Sequence, residues 1–251
     1  IKYTTRSFFF RLGDDIKPRF NHESLADFEN EYLEIINSVK NYTLTSPERM
    51  AALINSIQYI VKNQISGNIV ECGVWRGGSM MLVAKVLLAM KKTEYDLYLF
   101  DTFEGTTKPS KHDLDYLGNS MLDVWNKEFE GKKILPDSSD FVPLEEVKKN
   151  LFSTGYPKEK IHFIQGNVED TIPKNAPEKI SLLRLDTDWY KSTKHELNNL
   201  FPRLTPGGIL IIDDYGHFQG SKKAVDEYFD ENKIPSFLFR IDYTGRLCVK
   251  S

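Results

Sequence analysis

Carboxylates stand in this 251-residue chain at the points where apolar runs stop. The run Leu183-Arg184-Leu185 ends on Asp186-Thr187-Asp188, and Ile209-Leu210-Ile211-Ile212 ends on Asp213-Asp214-Tyr215-Gly216. If the two runs are neighbouring parallel strands, Asp186, Asp213 and Asp214 meet at one sheet edge and repel one another. A divalent ion relieves that repulsion, and all-oxygen ligands select a hard one such as Mg²⁺, Ca²⁺ or Mn²⁺. The competing role is helix capping, which suits a single Asp after a strand. Three acids on adjacent strands favour the metal. Adjacent residues of an ideal strand face opposite ways, so the metal reading requires the turn to begin at Asp213.

A second set is polar and glycine-rich. Asn68-Ile69-Val70-Glu71-Cys72-Gly73-Val74-Trp75-Arg76-Gly77-Gly78-Ser79 reads as a strand, a tight glycine turn and a helix start. Glycines let backbone approach a ligand, and an acid at the strand end can take a hydroxyl or cation. Glu71, Gly73, Trp75, Gly78 and Ser79 are therefore candidates for a ligand loop. The next run ends Asp101-Thr102-Phe103, one strand-helix-strand step later, where Asp101 can accept both hydroxyls of a ribose. A third run ends Gln165-Gly166-Asn167, and Gly166 and Asn167 suit the edge of an adenine. Three successive strand ends thus offer a nucleoside-shaped site. The stretch matches neither the GxGxxG dinucleotide fingerprint nor the GxxxxGK[ST] phosphate loop.

The elements that must hold these residues follow from hydrophobic spacing. Short apolar runs at 68–72, 97–100, 161–164, 180–185, 208–212, 237–239 and 247–249 read as strands buried on both faces. Helical spacing at 79–92, 143–154, 190–201 and 219–231 separates most of them. The expectation is an α/β fold with a doubly wound, mainly parallel seven-stranded sheet. Helices at 24–40 and 46–64, the second opened by Ser46-Pro47-Glu48, form an N-terminal cap over residues 1–64 of a single domain whose core is 65–251. Residues 104–142 are too long and polar for a simple connection. They are read as a lid at the ligand edge, against the alternative of a decorative loop.

Composition excludes other classes. Lys+Arg 33 against Asp+Glu 36 leaves a net charge of −3, so a nucleic-acid or anionic-membrane partner is disfavoured. The most apolar stretch, 79–90, contains Lys85 and falls short of the roughly 20 residues that span a bilayer. Cys72 and Cys248 sit in apolar runs without metal-ligand spacing, which points to reduced thiols and a cytoplasmic setting. Trp75, Trp125 and Trp189 are core residues by default, with Trp75 and Trp189 near enough to the motifs to line a pocket. His195 is placed at a solvent-facing position, and His217 is a second candidate base.

Taken together, Glu-Cys-Gly-Val-Trp-Arg-Gly-Gly, Asp-Thr-Phe-Glu-Gly at 101–105, Leu-Asp-Thr-Asp-Trp-Tyr-Lys-Ser-Thr at 185–193 and Pro-Gly-Gly-Ile-Leu-Ile-Ile-Asp-Asp-Tyr-Gly at 206–216 resemble the macrocin O-methyltransferase family. The resemblance runs from about residue 45 to 231. It implies a class I methyltransferase fold, S-adenosylmethionine as cofactor and Mg²⁺ or a similar ion on Asp186, Asp213 and Asp214. It further implies Asp188 as general base, cofactor contacts around Glu71, Asp101, Phe103 and Asn167, and a sugar hydroxyl of an antibiotic or surface glycan as acceptor. A homo-oligomer fits the resemblance. Thr106-Thr107-Lys108-Pro109 and His217 depart from the family pattern near the acceptor, which leaves a phenol open as well. Two other functions fit part of the pattern: a glycosyltransferase using Asp186-Thr187-Asp188 as its metal motif, and a non-catalytic cofactor-binding relative.

Overall fold

The computed structural model describes residues 25–129, 141–235 and 237–251. Parts of the expected cap (1–24) and lid (130–140) lie outside the described residues. Two helices come first, α1 (Asn30–Val39) and α2 (Pro47–Lys62), followed by β1 (Asn68–Cys72), α3 (Gly78–Ala89) and β2 (Leu97–Asp101). Next come α4 (Met121–Phe129), α5 (Leu144–Phe152), β3 (Ile161–Gln165), the short α6 (Val168–Thr171) and β4 (Ile180–Leu185). The chain ends with α7 (Tyr190–Leu200), β5 (Leu204–Ile212), α8 (Gln219–Glu231), β6 (Phe239–Arg240) and β7 (Arg246–Val249).

The seven strands form one sheet in the order β3-β2-β1-β4-β5-β7-β6. β1 to β5 run parallel, and β7 pairs antiparallel with β5 and β6. This is the doubly wound arrangement expected from the apolar runs. β4 is buried along its whole length because helices cover both faces. One layer packs α1, α2, α3 and α5 against Ile69, Leu97, Leu99, Leu182 and Ile211; the other packs α7 and α8 against Val70, Phe100, Leu183, Leu185 and Leu210. The last strand pair begins later than expected. Phe237 is exposed and unpaired with β7, and pairing starts at Phe239 opposite Leu247.

Local chemistry sets the helix starts. Ser46 caps α2 by accepting from the Arg49 amide at 3.1 Å, with Pro47 at the first helical position. The strand order reverses between β1 and β4, and a parallel sheet binds ligands at the carboxyl ends beside that switch point. Among the described residues no helix is long and apolar enough to cross a membrane.

Candidate active site

Strand register brings the charged residues together. Glu71 on β1 is paired with Arg184 on β4, and Arg184 with Ile211 on β5. Side chains repeat every second residue along a strand, so Asp186 and Asp213, each two residues beyond that row, fall on the same face. Arg184 lies at the centre, 3% exposed. Its Nη1 donates to Glu71 Oε1 at 2.7 Å and to Asp186 Oδ2 at 2.8 Å, and its Nη2 donates to Asp213 Oδ1 at 2.7 Å and to Thr45 Oγ1 at 3.0 Å. Arg49 from the first turn of α2 contacts the other oxygen of Asp213 and donates through Nε to Asp242 Oδ2 at 3.0 Å.

Asp213 and Asp214 lie just beyond the end of β5, so the chain turns where the metal reading requires it. Asp186, Asp213 and Asp214 each offer a carboxylate oxygen, all within 4.8 Å of one another. Hard oxygens in this number suit a divalent cation. Acid exceeds base here, since Glu71, Asp186, Asp213 and Asp214 share only the guanidiniums of Arg184 and Arg49 among the partners described. Burial pushes Asp186 up to about 6 despite Arg184, and burial together with the carboxylates of Asp188, Asp186 and Asp213 holds Asp214 well above the usual range. A bound cation would remove that penalty, so the donor set fits one.

A cavity of about 340 Å³ opens at this edge. Gly73, Val74, Trp75, Ser79, Asp101, Gly166 and Asn167 line one part of it, and Asp186, Asp188, Asp213, Asp214, His217 and Tyr243 another. Asp101 shapes the first part: Oδ2 accepts from the amides of Val74 (2.6 Å) and Trp75 (3.1 Å), and Oδ1 from that of Phe103 (2.8 Å). Burial nevertheless raises its pKa. Gly73 sits at φ +82°, and a Cβ there would meet the Asp186 carbonyl oxygen at 1.9 Å, so the loop after β1 must carry glycine to pass the loop after β4.

Three candidates do not line the cavity. Glu71 is buried behind it on Arg184, Phe103 is buried in the core, and Gly78 packs on the backbone of Tyr42, where a Cβ would lie 2.4 Å from the carbonyl oxygen. The tryptophans divide similarly. Trp75 lines the cavity, whereas Trp189 is buried with Met121 and Phe218 and donates its indole N–H to the Thr107 carbonyl at 2.8 Å. His195 is half-buried with Nε2 3.2 Å from the Ile172 carbonyl, rather than facing solvent. His217 Nδ1 lies 2.9 Å from the Tyr243 hydroxyl, and burial lowers its pKa.

The start of the 104–142 insertion lies on the site. Thr106 and Thr107 line the cavity, and fully buried Asp113 accepts from the Tyr190 amide at 2.7 Å, capping α7. Asp113, Arg49 and Arg184 belong to none of the sequence motifs that mark the site. Arg184 alone carried a sequence signal, a charge inside the otherwise uncharged strand 180–185, which can be buried only with acids to meet it.

A mainly parallel seven-stranded sheet of this order, with its cavity at the carboxyl ends beside the switch point, is the class I, Rossmann-like fold of methyltransferases. The chain belongs to the macrocin O-methyltransferase family: the model of Macrocin-O-methyltransferase (TylF) matches residues 37–248. It is 32% identical over 204 residues, 81% of this chain and 74% of the relative, to the 8-demethyl-8-(2,3-dimethoxy-alpha-L-rhamnosyl)-tetracenomycin-C 4'-O-methyltransferase of Streptomyces olivaceus. It is 29% identical to the mycinamicin III 3''-O-methyltransferase of Micromonospora griseorubida, covering 98% of this chain and 92% of that one. Among solved structures, the O-methyltransferase NovP superposes with a TM-score of 0.73 at 27% identity, over 84% of this chain and 82% of the other. The protein is thus an O-methyltransferase.

Proposed function

We propose that this enzyme methylates a hydroxyl of a sugar carried by a small molecule, using S-adenosylmethionine and a divalent ion. The reading rests above all on one observation: the triad Asp186, Asp213 and Asp214 and the neighbouring Asp188 share a cavity with Gly73, Trp75, Asp101 and Asn167. The Streptomyces olivaceus relative acts, by its name, on a rhamnosyl tetracenomycin, which supports a sugar acceptor. Two buried free thiols suit a cytoplasmic enzyme.

The cofactor, when bound, supplies a methyl group already activated on a sulfonium sulfur, so no covalent enzyme intermediate is needed. Asp101, oriented by the Val74 and Trp75 amides that donate to it, would hold the ribose, and Gly166 and Asn167 would border the base. Asp186, Asp213 and Asp214 would hold a hard cation, which when bound would supply Lewis acidity toward the acceptor hydroxyl. Arg184 and Arg49 fix the direction of Asp186 and Asp213. Asp188 takes the proton from the acceptor hydroxyl. Holding acceptor and methyl donor in one cavity supplies much of the remaining acceleration.

The test follows labelled methyl transfer from S-adenosylmethionine to mycinamicin III and to the tetracenomycin glycoside. Asp188→Asn is expected to keep metal and cofactor while turnover falls by roughly 10²–10⁴-fold. Asp213→Ala is expected to lose metal and turnover together. Loss of metal from Asp188→Asn would make Asp188 a ligand and return the base role to His217.

A further inference from the structure

Glu196 lies in the middle of α7 and is fully buried. Its Oε1 accepts from the Thr187 hydroxyl at 2.9 Å, and its Oε2 has no hydrogen-bond partner among the described residues. A buried carboxyl with one oxygen unsatisfied costs stability, and an apolar side chain at this helix position would not carry that cost. Such a residue calls for a role other than packing.

The turn it touches is held at an uncommon conformation. Asp188 adopts φ +65°, the left-handed region that residues other than glycine seldom occupy. Neighbouring groups over-determine that geometry. The Asp186 amide donates to the Cys72 carbonyl (2.8 Å), the Asp188 amide to Asp214 Oδ2 (3.1 Å), and the Thr187 carbonyl accepts from the Trp189 amide (2.7 Å) and the Ser192 hydroxyl (3.2 Å). Within this set the Thr187 side chain is anchored by Glu196, from beneath the turn.

We propose that Glu196 is a positioning residue that, by holding the Thr187 hydroxyl, fixes the turn presenting Asp188 to the cavity. Glu196 is not among the residues lining the cavity, and its effect on turnover rests on the reading of Asp188 as base. Small displacements of a reacting group lower rates steeply, so loss of this one bond should reach the chemistry without changing the ligands' affinity.

Hydrogen exchange at the Asp188 and Trp189 amides, read with S-adenosylhomocysteine present, tests the anchor without any acceptor. Glu196→Met is expected to speed both amides at least tenfold while Tm stays level or rises and S-adenosylhomocysteine affinity changes less than twofold. Glu196→Gln keeps the acceptor oxygen and should restore slow exchange. Thr187→Val should reproduce Glu196→Met, and the double variant should add nothing further. With mycinamicin III as acceptor, kcat should fall about 10- to 100-fold at unchanged KM in Glu196→Met and recover in Glu196→Gln. Wild-type exchange in Glu196→Met, or additive effects of the two substitutions, overturns the proposal; if Glu196→Met does not fold, Thr187→Val decides it alone. A wild-type rate for Asp188→Asn is a separate result, one that overturns the base assignment while the exchange data still judge the anchor.

Discussion

Arg184 Nη2 and Asp213 Oδ1 face each other at 2.7 Å across the carboxyl ends of β4 and β5, both nearly sealed from solvent. The same guanidinium also meets Glu71 and Asp186, so one cation of the protein organises acids from three strands. Asp186 and Asp214 both line the cavity.

Removing Arg184 should therefore be more damaging than removing any one acid. Arg184→Met leaves Glu71, Asp186 and Asp213 without their shared partner, and breaking a buried pair in this way costs about 3–5 kcal/mol. Urea unfolding of the metal-free protein checks this. Arg184→Lys should recover only part of the loss, because an ammonium cannot reproduce the guanidinium's fixed fork of donors.

Stability should decline with rising pH. Burial pushes Glu196 up to about 8 against the opposing Thr187 hydrogen bond. A carboxyl raised in the folded state keeps a proton that the unfolded chain has already released, so the stability it contributes is complete below about 4.5 and is lost as pH rises through about 8. Tm of the metal-free protein should fall between pH 5.5 and 8.5, and Glu196→Gln should flatten the decline. A Tm that rises across this window contradicts the assignment.

Much of this is legible in the sequence. The apolar runs ending in acids located the sheet, its carboxyl edge and the Asp186, Asp213, Asp214 group, because a buried parallel strand leaves little room for polar residues except at its ends. Glu71 shows where reading by position stops: at the end of β1 it resembles a ligand acid, yet strand register turns it onto Arg184. Pairings such as Arg49 with Asp213, separated by 164 residues, carry no local pattern at all. Asp113 was hidden for the same reason, since its partner Tyr190 is 77 residues away.

Asp101 has two claims on its carboxylate, the loop amides and a ribose. Asp101→Ala should weaken S-adenosylmethionine binding by about 1–3 kcal/mol in calorimetry, through lost charge-assisted hydrogen bonds and a slacker Val74–Trp75 loop. Unchanged affinity would reduce Asp101 to a cap for that loop.

The arrangement as a whole is tested most directly by diffraction at the manganese edge from crystals grown with S-adenosylhomocysteine and Mn²⁺. The account predicts an anomalous peak among Asp186, Asp213 and Asp214, with the ribose at Asp101 and the thioether sulfur on the Asp188 side of the same cavity. A manganese peak away from those three acids, or a nucleoside bound elsewhere than between Asp101 and Asn167, would contradict it.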